Sequence, residues 1–86
     1  MANTFTFTLV SPDGKKLVKE ADILNVKTTN GVVGILANHA DLVAVIEPSI
    51  LNFKLKGEST NINISGGILH VKDNEVRVLA ESYEEA

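Results

Sequence analysis

The chain contains no cysteine and no tryptophan, with a single tyrosine, a single methionine and two prolines among its 86 residues. Without cysteine, disulfides, thiolate nucleophiles and cysteine-ligated metals are excluded together. With three phenylalanines, one tyrosine and no tryptophan, the aromatic platform on which sugars usually stack is missing. No apolar run approaches the roughly 20 residues that a membrane-spanning helix requires, and the opening residues lack the basic and apolar regions of a secretory signal. A basic cluster is missing too. Acidic residues outnumber basic ones by 11 to 8, and Glu81, Glu84 and Glu85 account for the excess. The body of the chain is therefore electrically balanced and offers no electrostatic footprint for nucleic acid or anionic lipid. The expectation is a soluble protein made at its site of use, or one brought to a membrane by a partner.

What the chain does have is a succession of short alternating segments. Phe5, Phe7 and Leu9 alternate with Thr4, Thr6 and Thr8, a period of two that places the apolar side chains on one face of a strand. Pro12-Asp13-Gly14 then turns the chain. Lys16 to Lys19 reads as a return strand and Asp22 to Thr28 as the next, with Leu24 and Val26 on one face. Asn30-Gly31 predicts a hairpin whose two central residues are both left-handed. Val32 to Leu36 follows, and then Ala37 to Asp41 fits neither helix nor strand. Leu42 to Ile46 is assigned to a strand because Val43, Val45 and Ile46 are β-branched and Pro48 forbids a helix from continuing. Ile50 to Leu55, Asn61 to Ser65, Ile68 to Val71 and Glu75 to Leu79 complete the pattern, separated by Lys56-Gly57-Glu58, Ser65-Gly66-Gly67 and Lys72-Asp73-Asn74. Recurrent turn signals at strand-length intervals predict one all-β domain, a small sandwich or barrel, over residues 1–80, with an acidic tail at 81–86. A chain this size buries only roughly 60 to 65 % of its unfolded surface, so its stability is expected to be modest.

The residues that could carry chemistry are few. His39 and His70 are too isolated to form a metal site, and no ligand spacing such as H-x-x-x-H occurs. His39 lacks a neighbouring nucleophile, so an imidazole hydrogen-bonding the backbone of an irregular loop is the favoured reading. His70 alternates with Leu69 and Val71 and is expected to face solvent. The glycines of Gly31-Val32-Val33-Gly34 do not form a phosphate cradle and are assigned to a turn and a bulge. Ser65-Gly66-Gly67 is assigned to the close approach of another backbone rather than to an anion nest. The carboxylates are scattered singly, so no catalytic pair is proposed.

Three stretches resemble a known family. Gly31-Val32-Val33-Gly34-Ile35-Leu36-Ala37-Asn38-His39-Ala40-Asp41-Leu42, Ser65-Gly66-Gly67-Ile68 and Val76-Arg77-Val78-Leu79-Ala80 keep the order and approximate spacing of motifs in the amino-terminal domain of F-type ATP synthase epsilon subunits. A first strand ending at Val10-Ser11 is similar as well. The resemblance implies a β-sandwich of two sheets of about five strands each, non-catalytic and without a cofactor. It implies a place in the central stalk, where the domain links the gamma subunit to the c-ring so that ion-driven rotation is coupled to ATP synthesis. Implied gamma contacts are Ser11, His39, Leu42, Ala44 and Ser65, and implied contacts with the polar loops of the c-ring are Asn30, Gly31 and Val32. It further implies a hetero-oligomeric complex without nucleic acid or direct membrane insertion, peripheral on the cytoplasmic side of a bacterial membrane, or alternatively on a thylakoid or inner mitochondrial membrane.

The departures are specific. The prolines that flank the His-Ala pair in the family are Ala37 and Asp41 here, so this loop is expected to be less rigid. Val32 stands where the family often has an acidic residue, which weakens the case for a charge-assisted ring contact. The family's helical carboxy-terminal domain is absent from these 86 residues, whether the chain is naturally short or a piece of a longer one, so inhibition and nucleotide binding are not carried over. A reading from a different class, a free-standing β-sandwich binding a small ligand or an extracellular partner, stands beside this one. Copurification with gamma discriminates between them.

Overall fold

Phe5, Phe7 and Leu9 are all buried, while the threonines between them are only partly covered. Burying each large apolar side chain contributes about 1.5–3 kcal/mol, so the alternation in β1 (Phe5–Val10) fixes which face turns inward. The computed structural model describes residues 3–86 and is all-β, with no helix among them. After β1 come β2 (Lys16–Ala21), β3 (Ile23–Thr28), β4 (Gly31–Leu36), β5 (Leu42–Ile46), β6 (Ser49–Leu55), β7 (Glu58–Ile64), β8 (Gly67–Lys72), β9 (Glu75–Ala80) and β10 (Tyr83–Glu85).

Backbone pairing connects the strands into one sheet in the order β10-β7-β6-β3-β5-β8-β9-β1-β2, with β4 on β3. The expected two sheets of five are not separate. They are halves of one curled sheet, β10-β7-β6-β3-β4 and β5-β8-β9-β1-β2, joined between β3 and β5 through the single pair Thr28↔Ile46. The start of β3 pairs with β6 and its end with β5, so the sheet turns its corner along that strand. The halves meet across a shared core in which the rings of Phe7 and Phe53 lie 5.2 Å apart and tilted by 51°. One pairing is parallel: β1 runs alongside β9, from Thr6↔Glu75 to Val10↔Leu79.

The turns depart from expectation in an instructive way. Asn30 is not left-handed; at that hairpin only Gly31 is, with φ 111°. The Thr28 hydroxyl accepts the Asn30 N–H at 3.1 Å and donates to the Gly31 carbonyl at 2.8 Å, and this local cap supports a different turn. The left-handed pairs occur instead at Lys56-Gly57 and Asp73-Asn74, each between two directly paired strand residues. The β3–β4 register runs unbroken from Ile23↔Leu36 to Thr28↔Gly31, so the expected bulge is not there. Beyond Ala80, where alternation ends, the acidic segment adds a short strand to the edge of β7, Tyr83 opposite Ile64 and Glu85 opposite Ile62.

Candidate interaction face

The strand β5 is apolar on both sides, LVAVI. Leu42 and Ala44 turn inward and pack against the core, whereas Val43 and Val45 turn outward with 69 % and 50 % exposure. Register extends this outward side across the half-sheet. Val45 pairs with Ile68, Ile68 with Leu79, and Leu79 with Val10, which gives one apolar row; Val43 pairs with His70, His70 with Arg77, and Arg77 with Thr8, which gives a second. Val18 on β2 ends the second row opposite Thr8. A third row holds Lys72, Glu75, Thr6 and Glu20. Five of the large hydrophobic side chains exposed on the described residues, Val18, Val43, Val45, Ile68 and Leu79, share this one face. The others, Val32, Leu36 and Ile50, lie on β4 and β6.

Gly67 lets the apolar row close up. A β-carbon there would fall 2.2 Å from the carbonyl oxygen of Leu79, so only glycine allows β8 and β9 to approach as they do. The close backbone approach expected of Ser65-Gly66-Gly67 is thus made by this chain's own β9. Beside it an open groove runs between Pro12 and Pro48, lined also by Val45, Gly66 and Leu79.

The structure separates the residues implied as gamma contacts. Ser11 closes β1 and is buried; its hydroxyl donates to the Asp13 carboxylate, which also accepts the Lys15 backbone N–H at 3.2 Å. The Ser11 hydrogen bond first, and then the one from Lys15, holds Asp13 below the usual carboxylate range. Ser65, near the same end, is taken up by Ser82: its Oγ lies 2.9 Å from both the Ser82 N–H and the Ser82 hydroxyl. Lys15 reaches over the Tyr83 ring and donates to the Tyr83 carbonyl at 3.0 Å. Partial burial, with a smaller contribution from Asp13, pushes the Tyr83 hydroxyl up from its ordinary value.

His39 lies at the other end. The loop that carries it is pinned to the β8–β9 turn, where the Asn38 N–H meets the Asn74 Oδ1 at 2.7 Å and Asn74 in turn donates to the Thr4 carbonyl at 2.9 Å. The length of a six-residue strand, about 20 Å, therefore lies between His39 and the Ser11–Ser65 end. His39 Nδ1 sits 2.7 Å from the Ala40 carbonyl, the backbone hydrogen bond expected of it, and His70 faces solvent as expected. Asn30, Gly31 and Val32 stay together at the exposed β3–β4 tip, with Val32 73 % exposed. That tip adjoins the apolar row, because the Thr29 N–H bonds the Val45 carbonyl at 3.0 Å.

Val43, Val45, Ile68, Leu79 and Arg77 had no place among the implied contact residues. The available signal was β5 itself, since a strand with no polar member on either side requires cover on both. Among the described residues no three histidine, aspartate or glutamate side chains lie close enough to hold a metal ion. Among the same residues no helix is long and apolar enough to cross a membrane.

Comparison with known proteins agrees with this architecture. Residues 4–86 match the family model described as ATP synthase, Delta/Epsilon chain, beta-sandwich domain. An ATP synthase epsilon chain of Desulfitobacterium hafniense is 42 % identical over 84 residues, and one of Bacillus cytotoxicus is 39 % identical over 83. The alignments cover 98 % and 96 % of this chain but only 64 % and 62 % of those relatives, so the chain spans less than two thirds of their length. Among solved structures, a chain of the Euglena gracilis mitochondrial ATP synthase (OSCP/F1/c-ring) superposes with a TM-score of 0.89 at 26 % identity, over 99 % of this chain and 55 % of that one. A chain of the Tetrahymena thermophila mitochondrial ATP synthase central stalk/c-ring gives 0.78 at 18 % identity, over 92 % and 64 %, a likeness of fold alone. The chain belongs to the delta/epsilon chain beta-sandwich family of ATP synthase.

Proposed function

We propose that this domain is a non-catalytic part of a rotary ATP synthase central stalk, docking the gamma subunit on the outer face of β5-β8-β9-β1 and presenting the β3–β4 tip to the c-ring. Rotation of the ring then reaches gamma through a rigid β-body. The observation that carries this reading is the uncovered apolar row Val45–Ile68–Leu79, continued by Val10 and bordered by Val43. Exposed apolar side chains gathered on one face mark an interaction surface, whereas singly scattered ones need no explanation. Family membership supports gamma as the occupant, and the similar chain from Euglena gracilis comes from an assembly that contains the c-ring. The position of the tip fits a second contact, because it adjoins the apolar end of the face and leaves Val32 free. In this reading the domain reaches the membrane surface through the ring and inserts nothing into the bilayer.

Coexpression with gamma followed by size-exclusion chromatography tests the reading. The wild-type chain should coelute with gamma, and Val45→Asp or Leu79→Asp should elute alone while remaining folded. Coelution undiminished by both substitutions would remove this face from consideration.

A further inference from the structure

We propose that His70 and Arg77 together read an acidic side chain of the docked partner, so that docking tightens as pH falls. This deepens the docking reading and rests on it. The two residues face one another directly across β8 and β9, with Val43 beyond His70 and Thr8 beyond Arg77. Directly paired residues of antiparallel strands have β-carbons about 4.5–5.5 Å apart, so one carboxylate can reach both side chains.

Their position is what demands a partner. The pair lies between the apolar row Val45–Ile68–Leu79 and the charged row Lys72–Glu75, with Val43 and Val18 at the two ends of its own row. A protein that covers the apolar row strips water from this pair as well, and a buried charged donor left without an acceptor is strongly disfavoured. Among the described residues Arg77 is held only by one long ion pair. Its Nη2 lies 3.6 Å from Glu75, with the two side chains 62 % and 54 % exposed, an ion pair of the kind that solvent largely screens. A carboxylate suits the site because the guanidinium fork binds it through two parallel hydrogen bonds, which a single backbone carbonyl cannot accept.

The pH dependence follows from the neighbours of His70. Lys72 lies two residues along its own strand, Arg77 and Glu75 face it from β9, and Asp73 occupies the turn. From β5 it meets only Val43 and Val45, with Asp41 just before that strand; β1 supplies Thr6 and Thr8, and Glu20 on β2 lies beyond them. Glu75 is already engaged by Arg77, and Lys72 stands opposite it across β8 and β9. Protonating His70 therefore adds a cation directly opposite Arg77, and an acidic side chain of the partner is the group that relieves it. Histidine is the side chain that ordinarily changes charge between about pH 5 and 8. A carboxylate contact favours the protonated ring in the complex, so the gain in affinity is present at acid pH and lost as pH rises.

The test is the affinity of the full chain for its own gamma subunit, measured by calorimetry at about pH 6 and about pH 8, with thermal unfolding recorded for every variant. Wild type should bind at least about threefold more tightly at the lower pH. His70→Gln should abolish that difference, and Arg77→Gln should weaken binding roughly tenfold at both, as expected for loss of a charge-assisted hydrogen bond. Val45→Asp serves as the control for docking itself. If Val45→Asp abolishes binding while His70→Gln and Arg77→Gln leave affinity and its pH dependence unchanged, the docking reading stands and the carboxylate reader is overturned. Failure of wild type to bind gamma at either pH overturns both, as does a homodimer that Val45→Asp dissolves without any gamma complex.

Discussion

Gly67 and Leu79 are in contact through their backbones, at a distance no other residue type tolerates: a β-carbon on Gly67 would sit 2.2 Å from the Leu79 carbonyl oxygen and 2.9 Å from the Ala80 α-carbon. Both obstructing atoms belong to the backbone of β9, so relief requires moving a strand. Gly67→Ala should cost about 1–3 kcal/mol, the usual range for an overpacked site. Gly34→Ala provides the contrast, because its added carbon meets only the Asn25 Oδ1 at 3.4 Å. Urea unfolding of the two variants measures the difference, and equal stabilities would contradict the close approach.

The phase of β5 can be tested by adjacent substitutions. Ala44→Asp directs a carboxylate toward the core and should destabilise the domain by several kcal/mol or prevent folding, since a buried unpaired charge is strongly unfavourable. Val45→Asp places the same group in solvent and should cost no more than about 1 kcal/mol. Circular dichroism melts decide between them, and the reverse order of stabilities would invert the strand.

His39→Ala and Val32→Asp probe the two ends of the implied interface. Each should leave thermal unfolding within about 0.5 kcal/mol of wild type, because His39 loses only a local hydrogen bond and Val32 is exposed. His39→Ala should weaken gamma binding, and Val32→Asp should spare it while lowering ion-driven ATP synthesis in the reconstituted enzyme. Normal behaviour of both variants in both assays would remove these residues from the interface.

The last strand, β10, is held by contacts distant in sequence: Lys15 on Tyr83, Ser65 on Ser82, and the Ala86 N–H on the Asn61 carbonyl at 3.0 Å. Lys15→Met combined with Ser65→Ala should release it. Amide exchange at Glu84 and Ala86 should then speed up, while core amides such as those of Leu69 and Val78 keep their protection, since edges open locally before the core does. Uniform loss of protection would mean that β10 is integral to the core.

Asp13 contributes a pH dependence whose sign is defined. Its folded pKa lies below the ordinary aspartate value, chiefly through the Ser11 hydrogen bond. A carboxylate of lowered pKa stabilises the fold above its unfolded pKa, and the contribution is lost as pH falls through the folded one. Asp13→Asn should therefore be less stable than wild type at neutral pH, and the two melting curves should converge below about pH 3. A gap that persists in acid would assign the effect to local geometry instead of charge.

Much of the fold was legible because single residues alternate cleanly: Phe5, Phe7 and Leu9, Leu24 and Val26, Ile62 and Ile64, and Val76 and Val78 are all buried. Alternation failed where it carried no information. In LVAVI either phase is apolar, so nothing local shows that Val43 and Val45, instead of Leu42 and Ala44, point outward. Tyr83-Glu84-Glu85 lacks a strand pattern, and its pairing comes from the free edge of β7 and from Lys15 and Ser65. Asn30-Gly31 has the composition of a left-handed pair, yet the Thr28 hydroxyl caps a different turn. The candidate face was hidden for a related reason: it joins β5, β8, β9, β1 and β2, and no spacing within one segment reports which strands become neighbours.

The parallel alignment of β1 with β9 also sets the order in which a nascent chain can finish. When β1 and β2 leave the ribosome they can pair at once, but the opposite edge of β1 has to wait for Glu75 to Ala80, most of these 86 residues later. At roughly 5–20 residues per second, that edge stays open for several seconds of synthesis. During that interval Phe5, Phe7 and Leu9 lack their final cover. The threonines between them, together with Lys16 and Lys19 on the partner strand, keep polar groups along the unfinished hairpin and oppose its pairing with other chains.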